Sequence, residues 1–131
     1  MVDVCGHVLA VVVHSAAVQD FHGARLVLQK LAQRIWTQLL KILADSIYKG
    51  DKHLANWIRD NFGWEIEVVQ REPGSKGFQV IPKRWVVERT FAWLGRNRRL
   101  SKEYDLLPET SETWIYIAMS ALLVRRLAVH V

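Results

Sequence analysis

The chain has 131 residues, half of them apolar and six of them Trp, which suits one folded domain with a real core and excludes a disordered segment. Eighteen Lys and Arg against thirteen Asp and Glu leave a net charge of +5, the sign expected for a polyanion partner. Cys5 is the single cysteine, which excludes an intrachain disulfide framework and points to a reducing cytoplasm.

The opening MVDVCGHVLAVVVHSA has no basic leader and carries an acid at position 3, so it does not read as a signal peptide. Val2–Cys5 reads as the end of a strand turning at Gly6 and His7, and Val8–Val13 as a buried, β-branched strand. A polar connection, HSAAVQDFHG, leads to a helix from Ala24 to Ile35 with Leu26, Leu28, Leu31 and Ile35 as its apolar residues. Leu39–Ala44 is a second apolar run ending at Asp45. Lys52–Asn61 spaces Leu54, Trp57 and Ile58 as a helix face, and Trp64–Val69 alternates as a strand. EPGSKG is a loop, Phe78–Ile81 a short extended piece, and Pro82 the expected first residue of a helix to about Arg98. Pro108 opens a last helix of about 20 residues, with Glu109 and Glu112 near its start and Arg125 and Arg126 near its end, an order that suits the helix dipole. Its longest apolar run, Trp114–Met119, is far shorter than the ~20 residues of a bilayer span, so no membrane partner is expected. Strands interleaved with helices predict an α/β layered domain.

All of the net charge lies in residues 82–103. Lys83, Arg84, Arg89, Arg96, Arg98, Arg99 and Lys102 face only Glu88 and Glu103 there, and the flanking regions cancel. On a continuous helix Arg84 would lie about 40° and Arg99 about 20° from Glu88, with Ala92 and Gly95 between them. Such a face offers arginines for phosphate oxygens and an acid for a metal. Asp3 and Asp45 each stand at or near the end of a β-type run, where α/β sheets collect functional groups. Meeting at one point, three carboxylates need a cation, and hard oxygen donors favour Mg²⁺ or Mn²⁺. Spacing alone leaves the plain readings open: Glu88 as a solvated partner of Arg84, Asp45 as a turn or cap residue, Asp3 as a solvated end residue. The Trp residues read as core, with Trp85 the best exception for stacking on a base. The histidines show no HxxxH or HExxH spacing, so a zinc site is not expected.

KRWVVERTFAWLGRNRRLSKEYD resembles the C-terminal signature of bacterial insertion-sequence DDE transposases of the insertion-sequence-five type, within the insertion-sequence-four-like superfamily. In that group an Arg-x-x-x-Glu step, here Arg84 and Glu88, carries the last acid. LAVVVHSAAVQDFHGA is similar to the family's strand and its His-x-Ala-x-Val-Gln-Asp connection. LADSIYKG stands where the family has Ala-Asp-Gly-Gly-Tyr-x-Gly, and LPETSETWIYIAMSALLVRRLA resembles its closing helix. The opening Val-Asp resembles the family's first-acid strand.

The resemblance implies an RNase H-like mixed sheet flanked by helices, over residues 1–131 as a single catalytic domain. It implies metal-dependent DNA cleavage and strand transfer, with Asp3, Asp45 and Glu88 as catalytic acids and ligands of two Mg²⁺ or Mn²⁺ ions. Lys83, Arg84, Arg96, Arg98 and Arg99 are the expected DNA contacts. Expected partners are element-end and target DNA, together with a second copy or a polypeptide supplying the N-terminal part. Three departures qualify this. Only Met1 and Val2 precede Asp3, so the family's DNA-recognition region and the leading half of the first strand are expected to be missing, with Asp3 loosely held at a frayed end. Ser46-Ile47 replaces Gly-Gly, a costly exchange if either position needs a positive φ. Gly95 stands where some members have a basic residue. The alternative is a catalytically inactive truncated remnant acting only as a DNA-binding or inhibitory module.

Overall fold

The expected strand–helix–strand order after residue 38 becomes a β–α–β unit in the computed structural model. The structure describes residues 1–34, 36, 38–50, 52–69, 84–102 and 105–129. β1 (Lys41–Ala44) pairs in parallel with β2 (Glu65–Val68), Lys41 opposite Glu65 and Ala44 opposite Val68. Flanking bonds from the Glu65 amide to Leu40 O (3.0 Å) and from the Val69 amide to Ala44 O (2.9 Å) lengthen the ladder. A parallel pair needs a crossover, supplied by the helix Lys52–Phe62. Leu54 and Ile58, one turn apart on it, are fully buried. That helix stops where Gly63 adopts φ +69° and its amide bonds back to Arg59 O, satisfying a terminal carbonyl. Phe62 meets Trp57 edge to face at 5.2 Å and stacks on Trp64 at 4.9 Å, with Trp64 buried and the other two half-buried.

These elements lie within one compact unit, Ala32–Trp85; Met1–Leu31 and Val86–Val131 make the other. Numbered along the chain, the helices are α1 (Asp20–Ala32), α2 (Lys52–Phe62), α3 (Arg84–Gly95) and α4 (Pro108–Val129). The core of the unit Met1–Leu31 with Val86–Val131 gathers Ala10, Leu28 and Leu31 of α1, Val86 of α3 and Met119 of α4. Lys30 of α1 and Glu112 of α4 form a half-buried ion pair above it. α1 begins four residues before the expected Ala24, inside the polar connection, because Asp20 suits a first helical turn. Pro108 is the first residue of α4, where its missing amide costs nothing. Among the described residues no helix is long and apolar enough to cross a membrane.

Two expectations change. Val8–Val13 does not form a strand of a larger sheet: among the described residues Val8 makes an isolated antiparallel bridge with Val2, and Leu9 and Ala10 bond to Met1. The reason lies in α4, whose side chains take the amides a ladder would use. The Val11 amide donates to the Tyr116 hydroxyl (3.3 Å) and the Val13 amide to Glu112 Oε1 (2.9 Å). The mixed sheet is therefore represented by β1 and β2 alone among the described residues. The basic helix is shorter than expected, ending at Gly95 rather than near Arg98. Asn97 ends it, its side-chain amide donating to Trp93 O and Leu94 O, both at 3.2 Å, and Arg98–Leu100 follows as a separate 3₁₀ turn. Pro82, Lys83 and the extended piece Phe78–Ile81 lie outside the described residues.

Gly6 has φ +82°, and a Cβ there would meet Thr90 Oγ1 at 2.9 Å and the Trp93 ring at 3.1 Å. Gly50 has φ +80° with nothing within 4 Å. Urea unfolding is expected to show Gly50→Ala losing about 1 kcal/mol from backbone strain alone, and Gly6→Ala losing about 2–3 kcal/mol from strain plus overpacking.

Candidate functional site

Asp3 sits in a five-residue turn rather than in a frayed end. Its amide donates to His7 O (2.9 Å) and its carbonyl accepts from the Gly6 amide (3.0 Å). Oδ1 of its side chain accepts the amides of Cys5 and His7, both at 2.8 Å, and Oδ2 lies 3.0 Å from His7 Nδ1. On the far side of the imidazole, Nε2 lies 2.9 Å from an Arg126 guanidinium nitrogen. A guanidinium can only donate, so Nε2 accepts and the network assigns the ring proton of neutral His7 to Nδ1, donating to Asp3. Partial burial is the largest single influence on the Asp3 carboxyl and pushes its pKa up. Hydrogen bonds from the His7 amide, the His7 side chain and the Cys5 amide together outweigh it, leaving the carboxyl below its ordinary value.

The turn is seated on α3. The Thr90 hydroxyl lies 2.7 Å from Gly6 O and 3.0 Å from Val86 O, sharing one proton between two carbonyls. Arg89 donates to Cys5 O at 2.8 Å. Trp93, one turn from Arg89, carries the Arg89 and Arg126 guanidiniums against its ring at 4.8 and 4.3 Å. Two cations of the chain are thus engaged in holding this turn.

Glu88 is exposed on α3, about 100° around the helix from Arg89 and about 160° from Thr90, the two residues that bond the Asp3 turn. Among the described residues, the side chains of metal-ligating type that cluster with Asp3 are those of Cys5 and His7, and Glu88 is not one of them. The proposed face Arg84–Glu88–Ala92–Gly95 is exposed from Glu88 onward, but it does not reach Arg99, because α3 ends first. Arg99 instead pairs with Asp105 at 2.7 Å and lies over the Trp114 ring at 5.3 Å. Arg96 and Arg98 are exposed beside it. Lys83 and the side chain of Arg84 lie outside the described residues.

Asp45 belongs to the other unit, immediately past the carboxyl end of β1. It caps the 3₁₀ turn Ser46–Tyr48, its Oδ1 accepting from the Ser46 amide at 2.6 Å and the Ser46 hydroxyl at 3.1 Å. Ile47 lies within that turn, whose right-handed helical backbone any L residue accepts, so the exchange of Gly-Gly for Ser-Ile is tolerated locally. The positive φ of this loop falls on Gly50 instead.

Sequence reasoning missed His7, Arg89, Thr90, Trp93 and Arg126, which hold the first acid. One signal was available: His7 stands four residues after Asp3 with a glycine between. The other partners are 84 or more residues away from the turn and become visible only when the chain is folded.

The family model for the transposase DDE domain matches residues 1–123, a span containing Asp3, Asp45 and Glu88. The chain belongs to that family. No curated protein and no solved structure matches it.

Because folding lowers the Asp3 pKa, its contribution to stability is complete above the unfolded-state value of about 4 and disappears as pH falls through the folded value. Urea unfolding of the protein and of Asp3→Asn is expected to differ by about 1 kcal/mol near neutral pH and to converge at about pH 2. A difference that persists unchanged in acid would show that the Asp3 charge has no part in it.

Proposed function

We propose that the chain is the catalytic portion of an insertion-sequence-five-type DDE transposase with an RNase H-like fold, acting on DNA phosphodiesters. The observation that carries this reading is the match to the transposase DDE domain over residues 1–123, spanning all three acids. A divalent metal pair fits the donor set in kind: Asp3 and Asp45 are carboxylates already oriented by backbone amides, and Glu88 is exposed. Asp3, Asp45 and Glu88 would hold two Mg²⁺ or Mn²⁺ ions, which when bound supply an acidified water and neutralise charge on the phosphate. The protein's own share is binding and orientation. Arg96 and Arg98 are exposed just beyond α3, where they suit phosphate oxygens, and Arg99 is steadied by Asp105 and Trp114. The protein would act in the cytoplasm, with element-end and target DNA as partners and a second polypeptide completing the assembly.

The exposure of Glu88, about 160° around α3 from the Thr90 that seats the Asp3 turn, favours a second reading, in which the chain binds DNA without cleaving it.

Incubation with Mg²⁺ or Mn²⁺ and a duplex carrying the parent element's ends is expected to yield strand cleavage that Glu88→Ala and a chelator each abolish. Cleavage that survives both would remove the three acids from the active site. DNA binding without cleavage would select the second reading. In either case Arg96→Ala with Arg98→Ala is expected to reduce the slope of log K against log salt by about 2, as measured by fluorescence anisotropy. An unchanged slope would exclude this segment as the DNA contact.

A further inference from the structure

The Asp3 turn presents more than a carboxylate. The ligand atoms of Asp3, Cys5 and His7 all lie within 4.8 Å of one another, with Cys5 exposed and the other two half-buried. Around a four-coordinate ion with bonds of about 2.0–2.3 Å, neighbouring donors stand roughly 3.5 Å apart, so side-chain torsions alone can close the remaining gap. The backbone needs no rearrangement, because Oδ1 of Asp3, the φ +82° of Gly6 and the bonds from Thr90 and Arg89 already fix the turn.

We infer that Asp3, Cys5 and His7 form a binding site for one thiophilic divalent cation of the Zn²⁺ class. A thiolate, an imidazole and one carboxylate are a borderline-soft donor set, which selects Zn²⁺ or Co²⁺ over Mg²⁺, whose preference is for oxygen. Asp3 Oδ2 and His7 Nδ1 stand 3.0 Å apart, and the ion takes the place of the proton between them. That proton moves to Nε2, and the Cys5 thiol gives up its own, so one proton is released per ion bound. The fourth position opens to solvent on the exposed side of Cys5.

Arg126 opposes this site. Its guanidinium donates to His7 Nε2 and must withdraw once that nitrogen carries hydrogen. Together with Arg89, it also places positive charge beside the ion. The positive charge of these guanidiniums therefore weakens cation binding, and loss of Arg126 strengthens it. A consequence rests on the transposase reading: an ion held by Cys5 and His7 occupies the Asp3 oxygen that the catalytic metals need, so Zn²⁺ competes with Mg²⁺ at the first acid.

The test is titration of the reduced, full chain with Co²⁺ alone, followed by displacement with Zn²⁺. With a single cysteine in the chain, a thiolate-to-cobalt charge-transfer band in the near ultraviolet reports Cys5 directly. The expected result is one equivalent bound. Cys5→Ser abolishes the band, His7→Gln and Asp3→Asn each weaken binding at least about tenfold, and Arg126→Gln tightens it several-fold. The absence of a band overturns the site. So does a band whose affinity is the same in His7→Gln and Asp3→Asn, since that describes a lone thiol. Cys5 and His7 lie at the surface or half-buried, and circular dichroism checks that those two variants keep the fold. Cobalt binding in a chain that cleaves no DNA keeps the site and rejects the transposase activity; cleavage without the band does the reverse.

Discussion

The close approach of the Gly6 carbonyl to the Thr90 hydroxyl, at 2.7 Å, is the contact on which the N-terminal part of this protein depends. It is possible only because position 6 lacks a side chain and adopts a left-handed backbone. Through it the first ten residues gain an attachment to α3 that their short hairpin pairing could not supply alone. The buried Thr90 hydroxyl in turn loses no hydrogen bonding by being enclosed, since carbonyls from both partners accept it. The orientation of Asp3 follows: a carboxylate one turn of chain away is aimed by the amides that the same turn exposes.

Charge is put to two uses in residues 82–103. As a sum it is the +5 that leads one to expect a polyanion partner, but individual cations are spent differently. Arg89 holds the turn and the face of Trp93, while Arg99 is committed to Asp105 and Trp114. Arg96 and Arg98, past the end of α3, are exposed. A linear count of basic residues thus overstates the surface offered to phosphate, because guanidinium groups also serve as planar packing elements against tryptophan.

The three acids sit in different local settings, and this bears on what the chain can do. Asp45 follows β1 and caps a turn, the position at which α/β sheets place reactive groups. Asp3 lies among softer donors, and Glu88 stands exposed on a helix. An acid surrounded by sulfur and imidazole answers to a wider range of cations than one surrounded by oxygen, so the proposed oxygen-bound metal pair and the inferred thiophilic site would overlap at Asp3.

The local elements were legible in the residues themselves. Leu54 and Ile58 at helical spacing marked α2, Pro108 with Glu109 and Arg126 marked α4, and the alternation after Trp64 marked β2, because these signals are carried by neighbours a few positions apart. The family, too, was legible, through the run around Arg84 and Glu88. What only the tertiary structure decided depends on partners far away in the chain. Val8–Val13 reads as a strand from its branched side chains, yet Tyr116 and Glu112 take its amides. Asp3 reads as a loose end, yet His7, Thr90 and Arg126 hold its turn. Periodicity and capping are properties of a segment, whereas hydrogen-bond acceptors for an extended run and neighbours for a carboxylate are supplied by whichever elements fold against it.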